Sequence, residues 1–343
     1  MNNRKWLLKS RPVDTVGRHN FKYVVEDDWT SSRTSGQVCV QWELLLCAPT
    51  IRNWISGQRD SFYPVVEIGQ AVSAPGIGTV VQSMNSDFPV GTRLFGFGSS
   101  QDYQWVDPCA GYRQIPDDIA SVDAMGVLGI NALTAYCGLM RIGEPKQSDV
   151  LLVSGAAGSV GSVVAQIGRI LGCHVVGIAG GAEKLCWLRE DCGIEHLIDY
   201  RCENVAKRIE ALCPEGVDIY FDNVGGDILL AASRQMKPHG RIVLCGQISG
   251  YNSGGIIEAP PIDMMRMIYG GLRMEGFVSR HHSDHFPKAL EELGAWNARG
   301  LLAHREDVRA GFDRLPETFS LLFSGGNQGT LLARISDGKG EQI

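Results

Sequence analysis

The stretch LLVSGAAGSVGSVVAQIG, Leu151 to Gly168, decides how this chain is read. An apolar run ends in small residues. Then Val160, Val163, Val164, Ile167, Ile170 and Leu171 fall at steps of three and four until Gly172 supplies a stop. That pattern predicts a strand, a glycine turn and an amphipathic helix. The glycines stand at Gly155, Gly158 and Gly161, a G-x-x-G-x-x-G spacing in place of the usual dinucleotide G-x-G-x-x-G. Two readings stay open on the glycines alone. The turn either packs closely and does nothing else, or it cradles a phosphate. For the second, small residues let the backbone approach a pyrophosphate, and the helix N-terminus offers free N–H groups with a partial positive charge.

Working outward, the strand-like runs CHVVGIAG, HLIDY, VDIYFDNV and GRIVLCG alternate with the helical runs AEKLCWLRED, ENVAKRIEALC and DILLAASRQM. Alternation of this kind predicts βαβ units and a parallel sheet, which favours the nucleotide reading of the loop. The first hundred or so residues differ. GQVCVQWELLLC, GIGTVVQS and GTRLFGFG are short β-like runs broken by turn residues, so a mostly β unit comes first. Toward the end, LRMEGFV reads as a strand, HFPKALEELGAWNARG and LPETFSLLFSGG as helices, and GTLLARI as a returning strand. A lone strand is not stable by itself, so the tail is expected to fold back onto the first unit. The fold class is therefore α/β.

The end of the second strand of the alternating region identifies the nucleotide. NAD sites place an Asp or Glu about 20 residues past the loop, on the adenine-ribose hydroxyls. Here the run is VVGIAGGAEK: Gly180 and Gly181 replace the carboxylate, and Lys184 follows within a turn. Glycines with a nearby cation suit a 2′-phosphate, so NADPH/NADP+ is expected over NAD(H), although Glu183 could face the ribose.

The 343 residues are 44% hydrophobic and 20% charged, with a formal net charge of -6. This balance offers no reason to expect nucleic acid as a partner. No segment approaches the length of apolar chain that spans a bilayer, so no membrane partner is expected. The start has no run suited to a signal peptide, and the ten cysteines have no repeated spacing. They read as reduced thiols of a cytoplasmic protein.

Together GAAGSVGSVVAQIGRILGCHVVGIAGGAEK, VDIYFDNVGG, GRIVLCGQISGYN and LRMEGF resemble the medium-chain dehydrogenase/reductase superfamily, and within it the zinc-free branch of prostaglandin, alkenal double-bond and curcumin reductases. The resemblance runs from LLKSRPV to GGNQGTLLARI. It implies a GroES-like, mostly β substrate domain over residues 1–127 and 299–343, and a Rossmann doubly wound parallel-sheet domain over 128–298. It also implies a homodimer, and NADPH-dependent reduction of a carbon–carbon double bond conjugated to a carbonyl. By motif position, the cofactor shell is Gly158, Val160, Gly161, Lys184, Tyr200, Asn223, Cys245, Ser249, Tyr251, Phe277, Val278 and Asn327, with Thr134 near the nicotinamide.

Zinc relatives in the superfamily need thiolate, imidazole and carboxylate ligands around an open position. Cys47 matches their first ligand superficially. The Gly-His-Glu run expected after YPVV reads EIGQ, and no four-cysteine lobe exists. Cys47 is expected to be a small buried residue. His281 and His285, four apart in HHSDH, could share a helix face, but they read as a polar helix start capped by Ser283 or Asp284. No metal is expected.

Adding hydride to the β-carbon of an enone puts negative charge on the carbonyl oxygen, which hydrogen-bond donors must meet. A proton must then reach the α-carbon. A phenol, whose ordinary pKa is about 10, is a neutral donor at neutral pH. Tyr269 matches a tyrosine proposed for substrate contact or proton supply in relatives, and Tyr63 is a second candidate at the pocket rim. Water and the cofactor ribose are alternative proton sources. Where many relatives carry DPYMR this chain has APTIR, so Ala48 and Thr50 replace an aspartate and a tyrosine, and a reshaped pocket follows. Thr50, Asn53, Trp54 and Phe62 are the expected pocket residues for a small hydrophobic unsaturated carbonyl. Asn131 likewise replaces a proline common in relatives. The alternatives to an enone reductase are an NADPH:quinone oxidoreductase, a zinc-free carbonyl or alcohol dehydrogenase, and a non-catalytic NADPH-binding protein.

Overall fold

Burial along VCVQWELLL shows why the first part of the chain builds a sheet. Val38, Val40, Trp42, Leu44 and Leu46 are buried, while Gln41 and Glu43 reach a half-buried face. This computed structural model describes residues 2–27, 34–58, 62, 64–253 and 262–336, which leaves Tyr63 outside. The chain divides into two units: Met1–Met125, Tyr251–Gly254 and Glu306–Ile343 in one, Gly126–Gly250 and Gly255–Arg305 in the other.

The first unit begins with an antiparallel pair, β1 (Asn3–Leu8) and β2 (Phe21–Glu26). Next come β3 (Val38–Leu46), the short α1 (Ile51–Trp54), β4 (Ser73–Ser83), β5 (Arg93–Ser99), β6 (Tyr103–Val106), β7 (Arg113–Gln114) and α2 (Ser121–Met125). Strands β3, β4, β5 and β7 pair antiparallel in that order, and β6 adds to β3. The partly buried Glu43 accepts from Thr79 Oγ1 at 2.6 Å and Ser121 Oγ at 3.2 Å, so its charge is met by hydroxyls.

The second unit opens with α3 (Ile130–Cys137). Then strands and helices alternate: β8 (Val150–Ser154), α4 (Gly161–Ile170), β9 (His174–Ala179), α5 (Ala182–Glu190), β10 (His196–Asp199), α6 (Val205–Leu212), β11 (Val217–Asp222), α7 (Gly226–Ser233) and β12 (Met236–Leu244). α8 (Met264–Gly270), β13 (Arg273–Gly276) and α9 (Phe286–Ala298) follow. All neighbours in the sheet order β10-β9-β8-β11-β12-β13 are parallel. Residues 151–154 and 175–179 are buried without interruption, as expected of strands covered on both faces. The expected doubly wound sheet is present. Its order reverses beside β8, the place where such sheets bind ligands.

The returning segment completes the first sheet with β14 (Glu306–Ala310) and β15 (Thr330–Arg334), joined by α10 (Leu315–Ser324). β15 lies antiparallel to β3, Leu332 opposite Leu46, so the returning strand joins the first unit, as expected. β14 carried no sequence signal. Its residues EDVRA are half-buried or exposed, and the parallel backbone ladder with β15 defines it. The helix start at HHSDH also differs from expectation. Ser279–His285 is a 3-10 turn broken at His282, so His281 and His285 share no α-helical face. The residue before α9 is His285, not Ser283 or Asp284, with Pro287 in the first turn.

Candidate functional site

The glycine loop is built on a close backbone crossing. Gly155, at φ +58°, turns the chain out of β8. A Cβ on Gly161 would stand 2.3 Å from the Gly155 carbonyl oxygen and 2.9 Å from Ala156 Cα, and backbone atoms cannot yield to it. At Gly158 the nearest atom would be the Gly155 oxygen at 3.2 Å. No side chain caps α4 at Val160, so the helix start keeps N–H groups for an anion. Asn131 Nδ2 donates to Ser159 Oγ at 2.8 Å, so the asparagine that replaces a proline pins the loop from α3. The glycines therefore pack closely against the backbone, a geometry compatible with either reading of the turn.

On the β9 side, Asp199 stands opposite Ala179 in the parallel register. Both Asp199 carboxylate oxygens lie 3.2 Å from the Gly181 N–H, and Oδ1 also accepts from the Arg201 N–H at 3.0 Å. This clamp draws Tyr200 and Arg201 over the glycine pair. A Cβ on Gly180 would be 2.6 Å from Tyr200 Cε1, and one on Gly181 would be 3.3 Å from Arg201 Nη1. Lys184 sits in the first turn of α5. Burial holds its ammonium below the usual lysine pKa, and the charge of Arg201 pushes the same way against Glu183. Glu183 itself pairs with Arg305 at 3.2 Å. Two neighbouring cations beside a strand that itself ends in glycines fit a phosphate. Sequence reading missed Arg201. Its signal was available at the end of the adjacent strand, directly after Tyr200.

On the β11 side, Asn223 donates Nδ2 to the Ser154 carbonyl at 2.7 Å. Ser249 Oγ donates to the Val224 carbonyl at 2.6 Å. The Cys245 thiol is pushed up to about 12, by burial first and then by Asp222, so it is neutral. The Phe277 ring meets Phe221 edge-on at 6.4 Å and Val278 is exposed. Tyr251, which groups with the first unit, is half-buried in a 3-10 turn. Thr134 Oγ1 donates to the Ile130 carbonyl at 2.8 Å within α3. Tyr269 lies on α8, almost fully exposed.

In the first unit, Asn327 Nδ2 donates to the Gly329 carbonyl at 3.1 Å. Thr50 precedes α1, Asn53 and Trp54 lie on it, and the buried Arg52 anchors it through the Pro12 and Asp14 carbonyls at 3.0 and 3.1 Å. Trp54 packs on Phe97 with centroids 6.0 Å apart, whereas the Phe62 side chain is fully exposed. An apolar cavity behind α1 is lined by Trp6, Phe21, Leu45, Cys47, Ile51 and Phe319, among others, and none of Thr50, Asn53 and Trp54 lines it.

The donor set for zinc does not fit. Burial, followed by Asp307, raises the Cys47 thiol to about 12. Among the described residues no group of three or more His, Cys, Asp or Glu is placed to hold a metal. Among them, too, no helix is long and apolar enough to cross a membrane.

Residues 4–113 match a family described as the N-terminal domain of oxidoreductase, and residues 159–295 match one described as zinc-binding dehydrogenase. The NADPH-dependent curcumin reductase of Escherichia coli (strain K12) is 32% identical over 97% of both chains. Prostaglandin reductase 1 of Oryctolagus cuniculus is 37% identical over 76% of both. The structure of CurA from Vibrio vulnificus in complex with NADPH superposes with a TM-score of 0.91 at 30% identity, covering 97% of this chain and 99% of that one. The chain belongs to the medium-chain dehydrogenase/reductase superfamily, in its branch of prostaglandin, alkenal and curcumin double-bond reductases.

Proposed function

We propose that this protein is an NADPH-dependent reductase of the carbon–carbon double bond of α,β-unsaturated ketones or aldehydes. The observation that carries the reading is the cradle of Gly180, Gly181, Lys184, Tyr200 and Arg201, which presents two cations where a 2′-phosphate would lie, with the Asp199 carboxylate held on the Gly181 N–H. The names of the relatives supply the reaction class.

NADPH, when bound, supplies hydride to the β-carbon. The chain's own residues have other tasks. Backbone at Gly158, Val160 and Gly161 seats the pyrophosphate, and Lys184, Arg201 and Tyr200 hold the adenine-ribose end. Asn223, Cys245, Ser249, Tyr251, Phe277, Val278, Thr134 and Asn327 contact the remainder. Thr50, Asn53, Trp54 and Phe62 shape the substrate pocket. Tyr269 or Tyr63 donates a hydrogen bond to the carbonyl oxygen or the proton to the α-carbon. The accessible hydroxyl of Tyr269 supports that role, while Tyr63 rests on its sequence position.

We assign the protein to the cytoplasm on its ten free thiols, and to a homodimer on an apolar surface. Met264, Met265, Ile268 and Tyr269 of α8 are all exposed, and among the described residues β13 forms one edge of its sheet and pairs only with β12. Sedimentation tests the dimer. For the reaction, NADPH labelled with deuterium at the transferable position is turned over with a hydrophobic enone. Deuterium at the β-carbon is expected. Deuterium at the carbonyl carbon would move the protein to the alcohol dehydrogenases.

A further inference from the structure

Asp222, the last residue of β11, is 1% exposed, and its partners are neutral donors. Its Oδ1 accepts from Ser154 Oγ at 2.8 Å, Tyr220 OH at 2.6 Å, and the Val224 and Gly225 N–H groups at 3.0 Å each. Its Oδ2 accepts from the Gly225 N–H at 3.1 Å. The carbonyl oxygen of the same residue accepts from the N–H groups of Cys245 and Gly246, at 2.9 and 3.1 Å. Ser154 Oγ passes the network on by accepting from the Asn223 N–H at 2.9 Å. A buried carboxylate is costly unless several donors meet it, so its position specifies theirs.

What Asp222 ties together is not spread over the fold. Ser154 leads into the glycine loop after β8, Asn223 and Val224 form the turn after β11, and Cys245 and Gly246 follow β12. The sheet order gives these groups a common meaning. With the pyrophosphate at the β8–α4 loop and the 2′-phosphate cradle beyond β9, the nicotinamide half of the cofactor must run the other way, over the ends of β11 and β12.

We propose that Asp222 is a positioning residue that sets affinity for the nicotinamide half of NADPH by fixing Asn223 and the Cys245–Gly246 turn. It touches no substrate or cofactor atom itself. The inference rests on the NADPH reading above.

The test measures dissociation constants for NADPH and for adenosine 2′,5′-bisphosphate, which carries only the adenine end, on the wild type and on Asp222→Asn. Asparagine keeps the shape but sets an N–H₂ group against donors. NADPH affinity is expected to fall roughly ten-fold or more. The bisphosphate should change less than about two-fold, because its cradle stands at the ends of β9 and β10, on the far side of β8 from Asp222. KM for NADPH should rise with affinity while kcat at saturation changes little. If Asp222→Asn does not fold, Tyr220→Phe removes one donor to the carboxylate and should move NADPH in the same direction, by roughly three-fold. Parallel loss for both ligands would make Asp222 a general support of the fold and overturn the proposal. So would unchanged binding in folded variants of a wild type that binds NADPH. A wild type that binds no NADPH would overturn the cofactor reading and the proposal with it.

Discussion

The ring of Tyr200 occupies the space in which a side chain on Gly180 would stand: a Cβ there would lie 2.6 Å from Cε1, 2.7 Å from Cζ and 2.9 Å from the hydroxyl oxygen. Gly180→Ala therefore pushes the half-exposed ring off its seat. Because the ring can swing toward solvent, the cost to stability should stay near 1 kcal/mol, the low end for overpacking. NADPH affinity should fall by roughly ten-fold, since a displaced ring no longer covers the adenine end. Calorimetric titration paired with thermal unfolding separates the two effects. A loss of stability without a loss of affinity would show that the contact is structural alone.

Lys184 and Arg201 face the same region from different elements, and their mutual repulsion favours an anion between them. Lys184→Ala should weaken NADPH by roughly ten- to a hundred-fold and leave NADH nearly unchanged. Arg201→Ala should act in the same direction. The ratio of kcat/KM for NADPH and NADH, measured in both variants, checks this. An unchanged ratio in Lys184→Ala would falsify the assignment of the 2′-phosphate.

Gly161 faces backbone rather than a movable ring. Its replacement by alanine sets a methyl group 2.3 Å from the Gly155 oxygen, so the loop or the first turn of α4 must shift. Destabilisation of about 1–3 kcal/mol is expected, together with loss of NADPH binding. Gly158→Ala, with its one contact at 3.2 Å, should be much milder in both respects. Urea unfolding of the two variants side by side tests the contrast.

The thiols of Cys47 and Cys245 are pushed up to about 12 by burial, so deprotonation is disfavoured throughout the physiological range. At pH 8 only about one thiol in ten thousand would be thiolate on that basis. Iodoacetamide at pH 8 should spare both in the folded protein and modify the exposed Cys109, with peptide mass mapping as the readout. Rapid labelling of native Cys47 at that pH would reopen the question of a reactive or ligating thiol there.

The sequence by itself determined the alternation of strands and helices, the glycine turn before α4 and the return of the last strand to the first unit. These signals are local: a 3.6-residue period, an unbroken apolar run, a glycine at a stop. It also pointed to NADPH, through Gly180, Gly181 and Lys184, within a single strand-to-helix junction. Tertiary structure decided everything that depends on register between strands distant in sequence. Arg201 reaches Gly181 because β9 and β10 pair in parallel with Ala179 opposite Asp199. Asp222 reaches Ser154 because β11 lies beside β8, 68 residues away in sequence. β14 is a strand because β15 offers it a backbone ladder, and its own residues carry no apolar pattern. A hydrogen bond or a charge contact between separate strands depends on how the chain closes on itself, and a linear pattern of residue types holds no record of that closure.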